Sequence, residues 1–199
     1  MVSENITWHT GDIGYEDRCR LLHQRGAVLW LVGLSGSGKS TVAVAAEKRL
    51  TAAGRLCYRL DGDNIRHGLN GDLGFSPGER TENIRRVAHV ASLMRDAGLI
   101  VLVSFITPYA ALRETAREII GADYFHEVYV KADIDTCKRR DPKGLYTKAQ
   151  RGEIKEFTGV SAPFEAPESP ALVLDTDRYS IDESCGQLIR YLSGCGIIS

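Results

Sequence analysis

Gly33-Leu-Ser-Gly-Ser-Gly38-Lys39-Ser40 fits the pattern G-x-x-x-x-G-K-[ST] without a mismatch. Gly33, Gly36 and Gly38 let several backbone N–H groups turn toward one centre, an arrangement that binds phosphate oxygens. Lys39 supplies a flexible point charge for β- and γ-phosphates, and the Ser40 hydroxyl is a ligand for Mg²⁺. Leu34, Ser35, Ser37 and Thr41 complete the binding run. The helix that begins behind it adds the positive end of its dipole. The context agrees with the letters, because Ala27–Val32 reads as a strand and Thr41–Leu50 as a helix. The chemistry this implies is binding of a nucleoside triphosphate.

What becomes of the terminal phosphate is addressed by the next carboxylates. Leu56–Leu60 reads as a strand and runs into Asp61-Gly-Asp63-Asn-Ile-Arg66. Groups at the carboxyl ends of strands in an open parallel sheet face the ligand crevice. One aspartate can orient Mg²⁺ through water while the other takes the proton of an attacking hydroxyl. Capping of the following helix explains one of the two and leaves the other unexplained. Further on, Arg66 and Arg80 are suited to forked hydrogen bonds with an anionic acceptor. Phe75 and Phe164 are either packing anchors or faces for a planar base, each face contributing about 1–3 kcal/mol. Spacing alone does not join them.

The elements that must position these groups alternate in type. Candidate strands are Ala27–Val32, Leu56–Leu60, Leu99–Ser104, Glu127–Val130 and Ala171–Leu174, whose near-continuous hydrophobicity suits strands covered on both faces. Between them, Thr81–Ala97 places Ile84, Val87, Ala88, Ala91 and Met94 at helical spacing, and Ile181, Cys185, Leu188, Ile189 and Leu192 repeat the pattern near the end. The expectation is one α/β domain with a parallel sheet between helices. Two stretches break the rhythm. Gly68–Gly78 holds four glycines and Pro77 and reads as a loop. Lys138–Lys155 holds seven basic residues against Asp141 and Glu153, with Pro142, Gly144 and Gly152. A charge run alone is best read as a solvated helix; beside a phosphate cradle it reads as a mobile segment that closes on anions.

Composition narrows the field. The 199 residues carry 25 Lys plus Arg against 26 Asp plus Glu, a net charge of -1, which removes the electrostatic case for a dedicated nucleic-acid binder. The longest apolar stretch, around Ala27–Leu34, is far short of the ~20 residues that cross a bilayer, and the first ten residues have no secretory pattern. Five cysteines without a C-x-x-C pair, and His9, His23, His67, His89 and His126 without ligand spacing, argue against disulfides or zinc and for a reducing cytoplasm. Cys57, just ahead of Asp61, reads as a small hydrophobe on a strand rather than a redox sensor.

Taken together, these residues resemble the adenylylsulfate kinase family. The likeness runs through Ile6-Thr-Trp-His9, Gln24-Arg25-Gly26, the phosphate cradle, Asp61–Arg66, Leu73-Gly-Phe-Ser76 and Glu82-Asn-Ile-Arg-Arg86. It continues through Ser104-Phe-Ile-Thr-Pro-Tyr109, Arg140-Asp-Pro-Lys-Gly-Leu-Tyr146 and Gly152–Gly159, from about Ile6 to Asp175 in all. The later blocks are far more specific than the cradle.

The resemblance implies a P-loop NTPase-type three-layer fold with a central five-stranded parallel sheet. It implies transfer of the γ-phosphoryl group of MgATP to the 3′-hydroxyl of adenylylsulfate. On that reading Asp63 is the base, with Lys39 also catalytic, and Ser40 and Asp61 (through water) position Mg²⁺. Arg66, Arg80 and Asn83 hold the phosphosulfate and ribose side with Asn64 nearby, Phe75 and Phe164 clamp the adenine, and Ile106 and Thr107 line the pocket. Lys143 belongs to a basic lid at about 138–160, and Arg140 lies near the ATP adenine. The chain is expected to be one kinase domain over 1–199, with 1–25 as an N-terminal extension. It is also expected to form a cytoplasmic homodimer with no membrane or nucleic-acid partner, supplied by a separate ATP sulfurylase.

Two positions depart from the family's usual letters. Thr107 stands where serine is common, a serine proposed as a phosphorylated intermediate; threonine keeps the hydroxyl but is stiffer. Direct in-line transfer, with Thr107 as a pocket residue, is the expectation. Gln150-Arg151 stands where arginine often comes directly, turning the lid charge by about 100° on a helix. The competing readings are a kinase for another small hydroxyl compound and a silent nucleotide-binding regulator. The acceptor set argues against the first, and intact Lys39, Ser40, Asp61 and Asp63 argue against the second.

Overall fold

Ala27-Val-Leu-Trp-Leu-Val32 has no charged side chain to offer water, so a strand made from it must be covered on both faces. In the computed structural model, which describes residues 6, 7 and 9–199, all six are buried. Met1–Asn5 and Trp8, and with them part of the expected N-terminal extension and of the Ile6–His9 likeness, lie outside the described residues. The first half of the chain forms α1 (Tyr15–Leu22), β1 (Ala27–Val32), α2 (Lys39–Ala52), β2 (Cys57–Asp61), α3 (Gly62–Arg66), α4 (Pro77–Asp96) and β3 (Ile100–Ser104). The second forms α5 (Ala110–Ile120), β4 (Phe125–Lys131), α6 (Ile134–Arg140), α7 (Leu145–Gln150), β5 (Leu172–Asp175) and α8 (Ile181–Gly194).

The five strands are all parallel in the order β2-β3-β1-β4-β5, which bears out the three-layer expectation. Alternation along β1 divides the core. Leu29 and Leu31 face α2 and α8, where Val42, Ala46, Leu50, Leu188 and Leu192 are buried. Val28 and Trp30 face α4 and α5, packing with Val87, Ala91, Leu112 and Ala116. A third, smaller cluster of Ala132, Cys137, Tyr146 and Phe157 lies under the basic segment.

Most element boundaries shift by one or two residues from the sequence reading. α4 is the exception. It begins at Pro77 rather than Thr81, because Ser76 and Glu79 form a capping box with Pro at the first helical position. The glycine-rich loop therefore ends at Ser76. The basic segment is likewise not one open loop: it contains the end of α6, all of α7 and part of the third cluster. Most of its charges are exposed, with Lys138 and Asp141 half-buried, but Tyr146 is 2% exposed. All five cysteines are free, and burial pushes the Cys57 thiol pKa up, which favours the inert reading. No helix among the described residues is long and apolar enough to cross a membrane.

Candidate active site

The carboxyl ends of β1, β2 and β3 converge at one edge of the sheet. Leu31 of β1 and Asp61 of β2 both pair with Ser104 at the end of β3. At the end of β1 the chain enters the cradle. A side chain at Gly33 would put its Cβ 2.4 Å from the Val130 carbonyl, so only glycine fits that close approach. Gly38, at φ +98°, starts α2 from the left-handed region.

Lys39 is 8% exposed and folds back, its Nζ donating to the Gly33 and Leu34 carbonyls at 2.8 and 2.6 Å. Burial pushes its pKa down to about 8. Ser37 is fully buried and its hydroxyl has no hydrogen-bond partner in the protein. Arg140 donates to the Thr176 carbonyl at 2.7 Å and to the Gly36 carbonyl at 3.4 Å, while Thr176 Oγ1 donates to the Ser37 carbonyl at 2.8 Å. Tyr146 Oη donates to the Ser35 carbonyl at 2.9 Å. Two lid-side residues thus brace the loop.

Asp61 and Asp63 divide the two roles open in the sequence. Asp61 is 7% exposed, and its Oδ1 accepts the Asp63 N–H at 3.1 Å, capping α3. Its other oxygen, Oδ2, is buried with no hydrogen bond, 3.7 Å from the Arg59 guanidinium. Asp63 points to solvent and is ion-paired with Lys143. Ser40 Oγ lies 3.3 Å from Ser104 Oγ, a fully positioned hydroxyl that sequence reasoning did not single out.

Of the residues expected on the acceptor side, the two arginines are held by backbone carbonyls. Arg66 Nη1 donates to the Leu73 and Gly74 carbonyls at 2.8 and 3.0 Å, and its guanidinium sits 4.2 Å over the exposed Phe75 ring. Arg80 donates to the Phe75 carbonyl at 2.7 Å and the Glu156 carbonyl at 2.9 Å, linking the glycine-rich loop to the lid's end. Asn83 is buried and its Oδ1 accepts from Asn70 at 2.8 Å. Asn64 is exposed at the surface of α3, and Ile106 is half-buried. Phe164 is half-buried against Tyr129, with centroids 6.2 Å apart. It lines a cleft of about 560 Å³ with Leu34, Ile134, Val160 and Pro163. Phe75 is not among the residues lining that cleft.

Thr107 is 2% exposed with φ +42°, a left-handed backbone that a β-branched residue adopts at a cost of about 1–3 kcal/mol. Its Oγ1 accepts from Trp30 Nε1 at 3.0 Å. At the end of α7, Arg151 is exposed and lies 4.0 Å from Glu153, away from the cradle contacts. Trp30, Ser104, Tyr146 and Thr176 contact the expected site residues, and the sequence reading gave them no role. Their contacts join residues far apart in the chain, and only the burial of a tryptophan within β1 gave a signal.

The family model for adenylylsulphate kinase matches residues 25–175. The adenylyl-sulfate kinase of Staphylococcus epidermidis is 53% identical over 190 residues, covering 96% of each chain. The structure of the Mycobacterium tuberculosis APS kinase CysC in complex with AMPPNP and APS aligns with a TM-score of 0.81 and 50% identity, covering 85% of this chain and 99% of that one. A hexameric APS kinase from Thiobacillus denitrificans aligns with a TM-score of 0.66 and 32% identity, over 88% of this chain and 30% of that longer one.

Proposed function

The chain belongs to the adenylylsulfate kinase family, and we propose that the sheet edge bearing Lys39, Asp61 and Asp63 is where it moves the γ-phosphoryl group of ATP to the 3′-hydroxyl of adenylylsulfate. The products are 3′-phosphoadenylylsulfate and ADP. The single observation that carries this site assignment is a buried lysine opening α2 behind β1, together with a half-used buried carboxylate that ends β2 and an exposed carboxylate two residues on. The whole chain acts as one kinase domain, with 1–25 as an extension and 138–160 as the lid.

In this reading the amides of residues 33–41 hold the triphosphate. The Lys39 ammonium leaves the Gly33 and Leu34 carbonyls for the β- and γ-phosphates. Arg140, on the cradle's rim, faces the donor nucleotide. Asp61 Oδ2, buried without a donor, and the Ser40 hydroxyl fit a hydrated Mg²⁺. Bound with the triphosphate, Mg²⁺ offsets negative charge on its oxygens.

Asp63 then takes the proton of the 3′-hydroxyl. That oxygen bonds to the γ-phosphorus as the bond to the β–γ bridging oxygen breaks, and ADP leaves with the electron pair. Lys143 is Asp63's counter-charge before the acceptor arrives, and in this reading it turns toward the phosphoryl group afterwards. Transfer of this kind depends on alignment and charge more than on covalent help. Thr107, with its hydroxyl bonded to Trp30 in a buried site, serves as a pocket residue and not as a phosphorylated intermediate.

Phe164 and Phe75 clamp the adenine, while Arg66, Arg80, Asn83 and Asn64 shape the phosphosulfate side. Arg66 and Arg80 act first by ordering the loop, since their N–H groups are directed at its carbonyls. A homodimer, a cytoplasmic setting and a separate ATP sulfurylase rest on the family likeness; the five free cysteines fit a reducing compartment.

The test is an ADP-release assay offering adenylylsulfate against other small hydroxyl acceptors. Turnover should require adenylylsulfate, and Asp63→Ala should lower it at least about a hundredfold while ATP still binds. Near-normal rates in that variant would remove the base assignment, and preference for another acceptor would remove the substrate.

A further inference from the structure

Three buried side chains hold the strained Thr107, and none of them lines the cleft. Trp30 Nε1 donates to its hydroxyl, and the indole is itself fixed against Phe105 and Phe125 at centroid distances of 6.2 and 5.9 Å. Arg113 Nη1 donates to the Thr107 carbonyl at 3.2 Å. The Arg113 Nε lies 2.6 Å from Glu127 Oε1, with the two side chains 7% and 11% exposed. Glu127 is the register partner of Trp30 across β1 and β4, so two strands and α5 meet beneath one residue.

A buried arginine–glutamate pair stabilises a fold no better than two apolar side chains of similar volume. Its presence in an apolar layer therefore calls for a reason other than stability. Here the pair aims a guanidinium N–H at a carbonyl whose backbone would otherwise relax. The far end of the same loop reaches the acceptor side: Glu165 N donates to the Pro108 carbonyl at 2.9 Å, and Ala110 N donates to Glu165 Oε2 at 2.6 Å. Phe164 is the residue before Glu165, so the setting of Thr107–Ala110 fixes the ring as well.

We infer that Trp30, Arg113 and Glu127 are positioning residues for the acceptor, holding Thr107 left-handed and thereby setting Thr107 and Phe164 for adenylylsulfate. They leave the ATP side untouched. The inference rests on the acceptor pocket proposed above.

Two variants test it. Trp30→Phe keeps an aromatic side chain, of smaller volume, and removes the donor, so its Tm is read alongside. The double variant Arg113→Leu with Glu127→Leu removes the clamp without orphaning a charge. The readouts are the KM for adenylylsulfate, the Kd for ATP by titration calorimetry, and Tm, with Phe164→Ala as the control. Each variant should raise the acceptor KM about tenfold, the scale of one buried hydrogen bond, with ATP affinity within twofold of the parent. An acceptor KM within twofold in either folded variant overturns the inference. So does a parallel loss of ATP and acceptor affinity that tracks Tm. An unchanged KM in Phe164→Ala sinks the pocket itself, whereas a rise there without one in the two variants sinks only the positioning role.

Discussion

Lys39 is a cation kept in a dry place, and that has a consequence for pH. Its pKa of about 8 lies below the ordinary lysine value because burial disfavours the charged form. Below pH 8 the empty site holds the ammonium; above it the amine is neutral. A triphosphate favours the charged form, so binding at pH 9 must take up a proton while binding at pH 6.5 need not. ATP affinity should fall as pH rises through 8, and binding enthalpies at pH 9 should differ between buffers of different ionisation heat. Equal enthalpies there would show that the lysine is already charged. In stability the direction is that of any group whose pKa is lower in the fold than in the unfolded chain: between pH 8 and about 10.4 the unfolded chain binds the extra proton, so the nucleotide-free fold gains stability as pH rises over that range. At this scale the cradle was legible because its geometry demands glycine and lysine at fixed offsets. The clamp on Thr107 was not, since Trp30 lies 77 positions away. Two faint signals existed. Arg113 falls on the same helical stripe as the buried Ala116 and Ile120, and Glu127 occupies a buried position of β4 between Phe125 and Val128 on the strand's inner run.

Among elements, the basic segment changes most on seeing the structure. Charge counting described its surface and missed its underside, where Tyr146 and Phe157 meet edge to face with centroids 5.0 Å apart. The Tyr146 hydroxyl also ties α7 to the cradle at Ser35. Tyr146→Phe keeps the ring and loses that one bond, worth about 1 kcal/mol. It should weaken ATP binding about fivefold, with Tm falling by no more than about 2–4 °C. ATP affinity identical to the parent would mean the lid's position does not affect the donor site. The start of α4 carries a similar lesson. Hydrophobic periodicity located its middle but not its start, which Ser76, Pro77 and Glu79 set through a capping signature that the reading from periodicity passed over.

For the molecule as a whole, strand and helix alternation was enough to give a five-stranded parallel sheet between helices, because right-handed crossovers leave few other arrangements. Which strands would be neighbours was not legible, since order depends on long-range packing and not on any local run. Assembly is the open property at this scale. If the homodimer proposed above is right, light scattering at micromolar concentration should return twice the chain mass; a mass equal to one chain, or to six, would overturn that proposal.

The strand order also dictates when the nucleotide site can exist. β1 carries the cradle, yet its two neighbours are drawn from much later in the chain: Ala27 pairs with Ile100 and Val28 with Phe125. During synthesis the signature loop emerges early but stays without walls until the ribosome has passed β4, and lid and cradle can meet only later still. ATP is thus recruited to a nearly finished enzyme, not to a folding one, and the central strand waits as an unpaired apolar ribbon in the meantime.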